Sequence, residues 1–191
     1  LLLALSMMIS LVPVSALANT GGGIAPLAAG ESVDAGHGLT INANGVPQGN
    51  DGANGTNWTY TSSSSGYGTL TLKSGIYDFS NQRLKDGMTI NVETGVTAKN
   101  FKLSNDYNGN VTPKIDQPAT LNNNGGTVED AELHGLYNGT SINVNNSGTI
   151  KNSEFSNAEI VNEAGATIEG SSLVRADSSR TWLKNLGTVQ E

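Results

Sequence analysis

Residues 148–155 read GTIKNSEF, and the phrase recurs as GVTAKNF at 95–101, GTVEDAEL at 126–133 and ATIEGSSL at 166–173, with a started copy, GTV, at 187–189. Each full copy holds two apolar residues five positions apart: Val96 and Phe101, Val128 and Leu133, Ile150 and Phe155, Ile168 and Leu173. Chance rarely keeps one spacing through four copies. The chain therefore contains an internal repeat.

The five-residue spacing predicts a bend inside each copy. A flat strand puts the residues of one face an even number apart, so two inward residues five apart need a corner between them. We predict the corner at the second residue after the first apolar one: Ala98, Asp130, Asn152 and Gly170 in the successive copies. Asp, Asn and Gly tolerate the left-handed backbone that such a corner needs.

The corner also assigns the residues that follow it. Those predicted to face inward are Ala131, Ser153 and Ser171, and those predicted to face outward are Glu132, Glu154 and Ser172. In the first copy Lys99 takes an inward position that is small elsewhere. We therefore expect the first copy to be distorted.

The copies follow one another at steps of 32, 22, 18 and 21 residues, counted at Val96, Val128, Ile150, Ile168 and Val189. An apolar residue, several mostly polar ones and a Gly precede each copy, and these apolar residues are Val92, Leu121, Val144, Val161 and Leu183. A period of about twenty residues, built from strand-length pieces and Gly/Asn corners, is typical of a solenoid.

From about Gly87 to Glu191 the pattern resembles the right-handed parallel β-helix of bacterial surface adhesins, autotransporter-like passengers and polysaccharide-degrading enzymes. The resemblance implies an all-β chain with flat sheets along its axis and an Asn often at a tight corner between two sheets. Leucine-rich repeats share the period but need a denser leucine pattern. An antiparallel sandwich is the stronger alternative. Its hairpins, however, need turn signals about every 8–12 residues, without a repeating unit of about twenty residues.

The N-terminal residues have the pattern of an export signal. Residues 1–18 are apolar and end in Ala16-Leu17-Ala18, the small-x-small pattern of a secretory signal peptide. The run is shorter than the roughly 20 residues that a membrane span needs, and Pro13 interrupts it. We therefore expect export, and no transmembrane segment after the signal is removed.

The remaining sequence divides into three predicted parts. Residues 19–33 are a linker, and residues 34–86 are an N-terminal cap and first coils that include a Gly/Asn-rich loop at 42–57. Residues 87–191 carry the β-helix repeats, with a loop excursion at 104–118. We interpret the chain as truncated at both ends, so we expect more repeats, and any anchor, beyond Glu191.

Composition limits the partners. The formal net charge is −7, and the ten Lys and Arg residues are scattered without forming a basic stripe, which argues against nucleic acid as a partner. The chain has no Cys and so no disulfide framework. Backbone pairing and packing must therefore provide its rigidity.

If the copies stack, two sets of charged residues align. Glu129, Lys151 and Glu169 form an outward row of alternating charge, which we interpret as structural. Glu132 and Glu154 fall on neighbouring coils, and two carboxylates about 5 Å apart suit a retaining glycosidase or a cation site. These two residues are the catalytic candidates.

The histidines and aromatic residues give weaker indications. Gly36-His37-Gly38 is similar to the Gly-His-Gly element of polygalacturonases, but the Asp-Asp pair and the Arg-Ile-Lys element of those enzymes are absent, so we interpret His37 as part of a surface turn. His134 has no second His or Cys nearby, and we expect neither a metal nor a cofactor. Four aromatic residues would bind sugar rings only if they lined one face: Trp58, Tyr107, Tyr137 and Trp182.

The sequence therefore predicts an exported, non-enzymatic repeat protein of the bacterial cell surface, or a secreted one. It would act as a stalk with an adhesive or binding surface for extracellular protein or carbohydrate. The alternative is a carbohydrate-active β-helix enzyme, either a polysaccharide lyase or a glycoside hydrolase. Fold alone does not decide between them, because the β-helix serves both kinds of protein.

Overall fold

The computed structural model describes residues 32–49, 56–63, 67–104, 118–135, 141–174 and 181–191. The regular structure of these residues is β-strand throughout, and no helix that could cross a membrane is found among them. The all-β prediction is confirmed. The predicted signal peptide at 1–18 and most of the predicted linker and excursion lie outside the described residues.

The strands of the described residues, in chain order, are β1 (Val33–Gly36), β2 (Leu39–Ile41), β3 (Pro47–Gly49), β4 (Trp58–Ser62), β5 (Gly68–Leu72), β6 (Gly75–Arg83), β7 (Thr89–Glu93), β8 (Val96–Ser104), β9 (Thr120–Asn124), β10 (Thr127–Glu129), β11 (Glu132–His134), β12 (Ile142–Asn146), β13 (Thr149–Lys151), β14 (Glu154–Ser156), β15 (Ala158–Asn162), β16 (Thr167–Glu169), β17 (Ser172–Val174), β18 (Trp182–Asn185) and β19 (Thr188–Gln190).

The first three strands form a small antiparallel sheet with the order β1-β2-β3. After β2, Asn42 Oδ1 accepts hydrogen bonds from the backbone N–H of Asn44, at 2.9 Å, and of Val46, at 3.0 Å. This Asn-stabilised turn leads the chain into β3. The prediction of a loop over the whole of 42–57 is therefore wrong at Pro47–Gly49, because the tight turn brings these residues back to pair with β2.

The second sheet has seven strands in the order β18-β15-β12-β9-β7-β5-β4. Its strands run parallel except for β4, which forms a hairpin with β5. Burial alternates along the strands, so that Ile90 and Val92 of β7 are buried while Thr89 and Asn91 are partly exposed. One face of this sheet therefore belongs to the core, and the other is accessible to solvent.

The third sheet has nine strands, all parallel: the long strands β6 and β8 pair with each other, and two arms of shorter strands extend from β8. Residues 97–99 pair with β10, which begins the first arm (β10, β13, β16, β19). Residues 102–104 pair with β11, which begins the second arm (β11, β14, β17). The chain passes from the seven-stranded sheet to the first arm, to the second arm and back. We call one such passage a rung.

In each of the four copies of the repeat, a single residue with a left-handed backbone separates the two arms. These residues are Asn100, Asp130, Asn152 and Gly170, with φ of 57°, 52°, 47° and 54°. The predicted bend is confirmed at Asp130, Asn152 and Gly170. In the first copy the bend is two residues later than predicted, at Asn100 and not at Ala98.

The register explains this difference. Val128 lies beside Ala98 and not beside Val96, and Leu133 lies beside Leu103. The predicted alignment of the first copy is therefore wrong by two residues. Corrected, its step to the second copy is 30 residues, from position 98 to position 128.

The misalignment arises because the large and small buried residues of the first copy occupy the opposite positions to those of the second copy. Ala98 is small where Val128 is large, and Phe101 is large where Ala131 is small, and all four are buried. A pattern that looks for two large residues therefore selects the wrong pair in this copy. Lys99 then faces outward, beside Glu129, so the predicted distortion from an inward Lys is also wrong.

The column of aliphatic residues inside the seven-stranded sheet needs a similar correction. Its in-register members are Leu70, Ile90, Leu121, Val144, Ile160 and Leu183. Two of the predicted members, Val92 and Val161, belong to other columns, because each has an aliphatic neighbour that takes its place. Ile150 and Ile168 are register partners in the first arm, as predicted, and both are buried.

Candidate functional site

Glu132 and Glu154 lie side by side on the outer face of the second arm. They are register partners in the parallel strands β11 and β14, so their Cα atoms are about 4.8 Å apart. The prediction that they stack on neighbouring rungs is confirmed. Their catalytic role remains a prediction.

Each of the two carboxylates has a different basic side chain beside it. Glu132 Oε1 lies 2.8 Å from Lys102 Nζ, on the preceding strand. Glu154 Oε1 lies 2.9 Å from His134 Nε2, a close contact that does not meet the directional geometry of a hydrogen bond. This arrangement links the neighbouring strands β8, β11 and β14 across their outer surface.

The first arm carries the predicted row of alternating charge, and it is longer than predicted. Its register partners are Asp78, Lys99, Glu129, Lys151, Glu169 and Gln190, which we call the charge row. Lys99 Nζ lies 3.3 Å from Asp78 Oδ2, and Lys151 Nζ lies 3.1 Å from Glu169 Oε1. The predicted placement of Glu129, Lys151 and Glu169 is confirmed.

Asp78 has a pKa below its ordinary value. Partial burial would raise the pKa, but hydrogen bonds from Asn100 Nδ2, at 2.9 Å, and from the Ser80 N–H, at 3.0 Å, outweigh it, with a further contribution from Lys99. Asn100 is the corner residue of its rung. The carboxylate therefore connects the corner of one rung to the rung before it.

Glu169 at the other end of the row also has a lowered pKa. Hydrogen bonds from Lys151 and from Gln190, whose Nε2 lies 3.0 Å from Glu169 Oε2, are the largest causes. Both bonds join neighbouring strands. The charge row is thus a set of cross-strand contacts on an exposed surface.

A second row, which sequence reasoning missed, lies inside the molecule. Its members are Asn123, Asn146, Asn162 and Asn185, which we call the Asn ladder. The first three are fully buried. Each Nδ2 donates to the Oδ1 of the next Asn, at 2.8, 2.7 and 2.7 Å along the row.

The same amides also bind the backbone. The Nδ2 atoms of Asn123, Asn146 and Asn162 donate to the carbonyl oxygens of Thr149, Thr167 and Thr188, each at 3.1 Å. The Gly148 N–H donates to Asn146 Oδ1 at 3.2 Å. The ladder therefore ties the end of each strand in the seven-stranded sheet to the start of the first arm in the following rung.

The ladder begins at Asn123 because the register partner of Asn123 on the previous rung is Val92. Within the described residues Asn123 Oδ1 is buried without a hydrogen-bond partner. A signal for the ladder exists in the sequence: each Asn stands two residues after an in-register aliphatic residue, which puts both on one face of the strand. From the sequence, Asn is expected instead at corners and in loops.

The outer face of the seven-stranded sheet has a different character. Its rows include Thr69, Thr89, Thr120 and Asn143, and beside them Thr71, Asn91, Asn122 and Asn145, which together we call the Thr/Asn face. None of these eight residues is charged.

Side-chain amides connect one row of this face. Asn122 Nδ2 donates to Asn91 Oδ1 at 2.8 Å, and Asn145 Nδ2 donates to Asn122 Oδ1 at 2.9 Å. Each amide has two N–H donors and two acceptor lone pairs, so these contacts leave part of its capacity for a ligand. The Thr/Asn face is therefore an ordered surface of hydroxyl and amide groups, repeated at the strand spacing of about 4.8 Å.

The remaining histidine and aromatic candidates either have structural roles or lie too far apart to form one site. His37 is exposed in a turn, as predicted, and its backbone oxygen accepts a bond from Trp58 Nε1 at 3.1 Å. Trp58 is buried in β4 and Trp182 lies in β18, at opposite edges of one sheet, so they form no common platform. Tyr107 and Tyr137 lie outside the described residues. Within the part of the chain that the structure describes, no group of three His, Cys, Asp or Glu residues could hold a metal ion.

Comparisons with protein-family models, with curated proteins and with solved structures found no match to this chain.

Proposed function

We propose that the chain winds as a right-handed parallel β-helix and acts as an exported, non-enzymatic stalk whose Thr/Asn face binds an extracellular protein or glycan. The observation that carries this proposal is the regularity of the outer surface. The same residue types recur at the same place on successive strands and bond to one another along the rows. Such a surface suits a repetitive ligand better than a single small molecule.

The parallel pairing supports the β-helix. Strands β12, β13 and β14 are followed by β15, β16 and β17, each of which pairs in parallel with its counterpart one rung earlier. A chain that returns to the same sheet in parallel makes a right-handed crossover in nearly all proteins. The antiparallel strands β1 to β4 at the start of the chain suit an N-terminal cap over the first rung.

Export and a bacterial cell-surface or secreted location are part of the same proposal, and residues 16–18, Ala-Leu-Ala, support it. Fusing residues 1–33 to a periplasmic reporter in a bacterium tests it. Export of the reporter with cleavage after Ala18 supports the proposal. Retention of the uncleaved fusion in the cytoplasm contradicts it.

The binding surface can be tested with glycan and extracellular-protein arrays probed by the full chain. The double substitution Thr89→Lys and Thr120→Lys puts two charges on the Thr/Asn face. Its matched control, Thr127→Lys with Thr149→Lys, puts two charges in register on the outer face of the first arm. We expect the first variant to lose binding and the control to keep it. Equal loss in both variants, or no binding by the unaltered chain, contradicts the proposed surface.

Glu132 and Glu154 favour a second candidate function, a glycan-cleaving enzyme, because their carboxylates lie on adjacent strands. Incubating the chain with a panel of pectins and glucans separates the two functions. We expect no turnover. Turnover that Glu132→Gln or Glu154→Gln abolishes, and that the outward control Glu129→Gln leaves intact, would overturn the stalk proposal.

A further inference from the structure

Strand β4 extends the Thr/Asn face by two threonines. It pairs with β5 so that Thr61 lies beside Thr69 and Thr59 lies beside Thr71. Each of the residues concerned is at least partly exposed. Neighbours within a row are about 4.8 Å apart, and the two rows are about 6.6 Å apart, because they stand two residues apart on each strand. Two rows without a charged or aromatic member thus cross five neighbouring strands: Thr61, Thr69, Thr89, Thr120 and Asn143 in the first, and Thr59, Thr71, Asn91, Asn122 and Asn145 in the second.

The two rows are held in place in different ways. In the second row, hydrogen bonds run from Asn145 through Asn122 and Asn91 to Thr71, whose Oγ1 accepts from Asn91 Nδ2 at 3.0 Å. In the first row, the threonines of β4, β5 and β7 make no side-chain hydrogen bond within the described part of the chain, but branching at Cβ restricts their rotamers. Side-chain ladders also favour a flat sheet. The array therefore presents hydroxyl and amide groups at fixed and regularly repeated positions.

The first arm has a similar row of threonines in a different setting. The charge row stands two residues further along the same strands, so a Lys or a Glu flanks the threonine on β8, β10, β13 and β16. A ligand that approached this arm would have to remove water from these charges, which is costly. On the Thr/Asn face, charged residues lie at the margins, as Glu159 does beside Asn143. The threonines of the first arm are Thr97, Thr127, Thr149, Thr167 and Thr188.

The array suits a neutral ligand that repeats in two dimensions. Hydroxyl and amide groups both donate and accept hydrogen bonds, as water does. The two rows lack the aromatic side chains that stack on sugar rings, and a sheet face lacks the concave shape that holds a small molecule. The surface of ice is neutral, consists only of donors and acceptors, and repeats in both directions at distances similar to those of the two rows. Water molecules bound to the threonines and asparagines can therefore continue its lattice.

We propose that the Thr/Asn face, together with Thr59 and Thr61, binds ice. The two rows hold water molecules at their own spacing, and these molecules join the surface layer of a crystal. Each contact is weak, but the array is already ordered, so little conformational entropy is lost on binding. This activity goes beyond the binding of a protein or a glycan. Export, as proposed above, would bring the face into contact with ice that forms outside the cell.

The test is the partition of the full chain between slowly grown ice and the remaining liquid. We expect several-fold enrichment in the ice, whereas a protein of similar size and net charge without such a face is excluded from it. Thr89→Tyr raises a ring above the centre of the array, and we expect the enrichment to be lost because the ring keeps the rows away from the crystal. The matched control Thr149→Tyr makes the same change on the first arm, and we expect it to keep the enrichment. Tyr suits an exposed strand position, and circular dichroism checks that both variants fold.

Thr89→Tyr also separates ice binding from glycan binding, because the added ring gives a sugar a surface to stack on. Glycan binding that Thr89→Tyr keeps or strengthens, with the unaltered chain excluded from ice, would assign the face to a glycan and overturn the proposal. Equal enrichment of the unaltered chain and folded Thr89→Tyr, or equal loss in Thr89→Tyr and Thr149→Tyr, would also overturn it. If Thr89→Tyr does not fold, Thr120→Lys with the control Thr149→Lys replaces the pair, and the same outcomes decide.

Discussion

The Asn ladder inside the molecule and the charge row on the first arm are built on the same geometry, and they differ in their surroundings. Both rows place one polar side chain on each rung, in contact with its register partner on the next strand. The ladder is fully buried from Asn123 to Asn162, while Lys151 and Glu169 are 38% and 31% exposed. Water competes for the charges but not for the amides. The comparison teaches that burial, and not formal charge, decides which row holds the rungs in register.

The largest expected effect comes from the apolar column beside the ladder. Ile150→Ala leaves a cavity between Val128 and Ile168, and we expect it to lower the free energy of unfolding by about 2–5 kcal/mol. The matched control is Val189→Ala, in the same column but with a side chain that is 49% exposed, for which we expect less than about 1 kcal/mol. Urea unfolding followed by circular dichroism measures both. Equal losses would mean that the last rung is covered in solution.

We expect the second-largest loss of stability from a substitution in the Asn ladder. Asn146→Leu removes the donor to Asn162 Oδ1 and the acceptor for Asn123 Nδ2, and we expect it to cost about 2–4 kcal/mol in the same assay. The control Asn145→Leu alters the neighbouring residue on the exposed side of the strand, and we expect a change of about 0.5 kcal/mol or less. If both variants unfold at the same urea concentration, the buried ladder contributes no more to stability than the exposed Asn145 does.

The contribution of the charge row to folding stability should depend on pH. The pKa of Asp78 is lowered in the folded chain, so its ionised form stabilises the fold at a pH above the unfolded pKa of about 4, and this contribution is lost as the pH falls through the lower folded pKa. We therefore expect the unaltered chain to be more stable than Asp78→Asn at pH 6, with the difference disappearing toward pH 2. Glu129→Gln is the control, because Glu129 has no ion-pair partner among the described residues. A difference that grows on acidification would contradict the assignment.

The smallest effect should come from Lys151→Gln. The lysine pairs with an exposed carboxylate, so we expect a change in the urea midpoint near the error of the measurement, and none at high salt. Lys184→Gln, which alters a lysine without an ion pair among the described residues, is the comparison. A loss as large as that of Asn146→Leu would reverse the order of the two rows.

The sequence alone predicted the all-β class, the parallel register of Val128, Ile150 and Ile168, and three of the four corners, because these depend on a spacing that survives side-chain variation. The prediction failed in the first copy, where small Ala98 takes the place of a large residue and large Phe101 takes the place of a small one. Size patterns identify a column only when each member is large. The register of a rung with compensating sizes becomes visible only through its backbone partners.

The outer pair Glu132 and Glu154 could be placed from the same spacing, but the basic side chains beside them could not. Lys102 was hidden by the two-residue error in the first copy, and His134 lies two residues along the strand from Glu132, on the same face. The Asn ladder was missed for another reason. Asn is both the common residue of turns and an interior hydrogen-bonding residue here, and composition cannot separate the two roles.

Residues at the same position of the repeat lie directly over one another on successive rungs, and disulfide formation can test this stacking because the chain has no Cys of its own. Lys151→Cys combined with Glu169→Cys places two thiols on register partners, about 4.8 Å apart at Cα, within the range that a disulfide spans. Glu129→Cys combined with Glu169→Cys places them two strands apart, at about 10 Å, beyond that range. We expect rapid intramolecular oxidation of the first pair and none of the second. Equal oxidation of the two pairs, or oxidation of the second alone, would contradict the stacking.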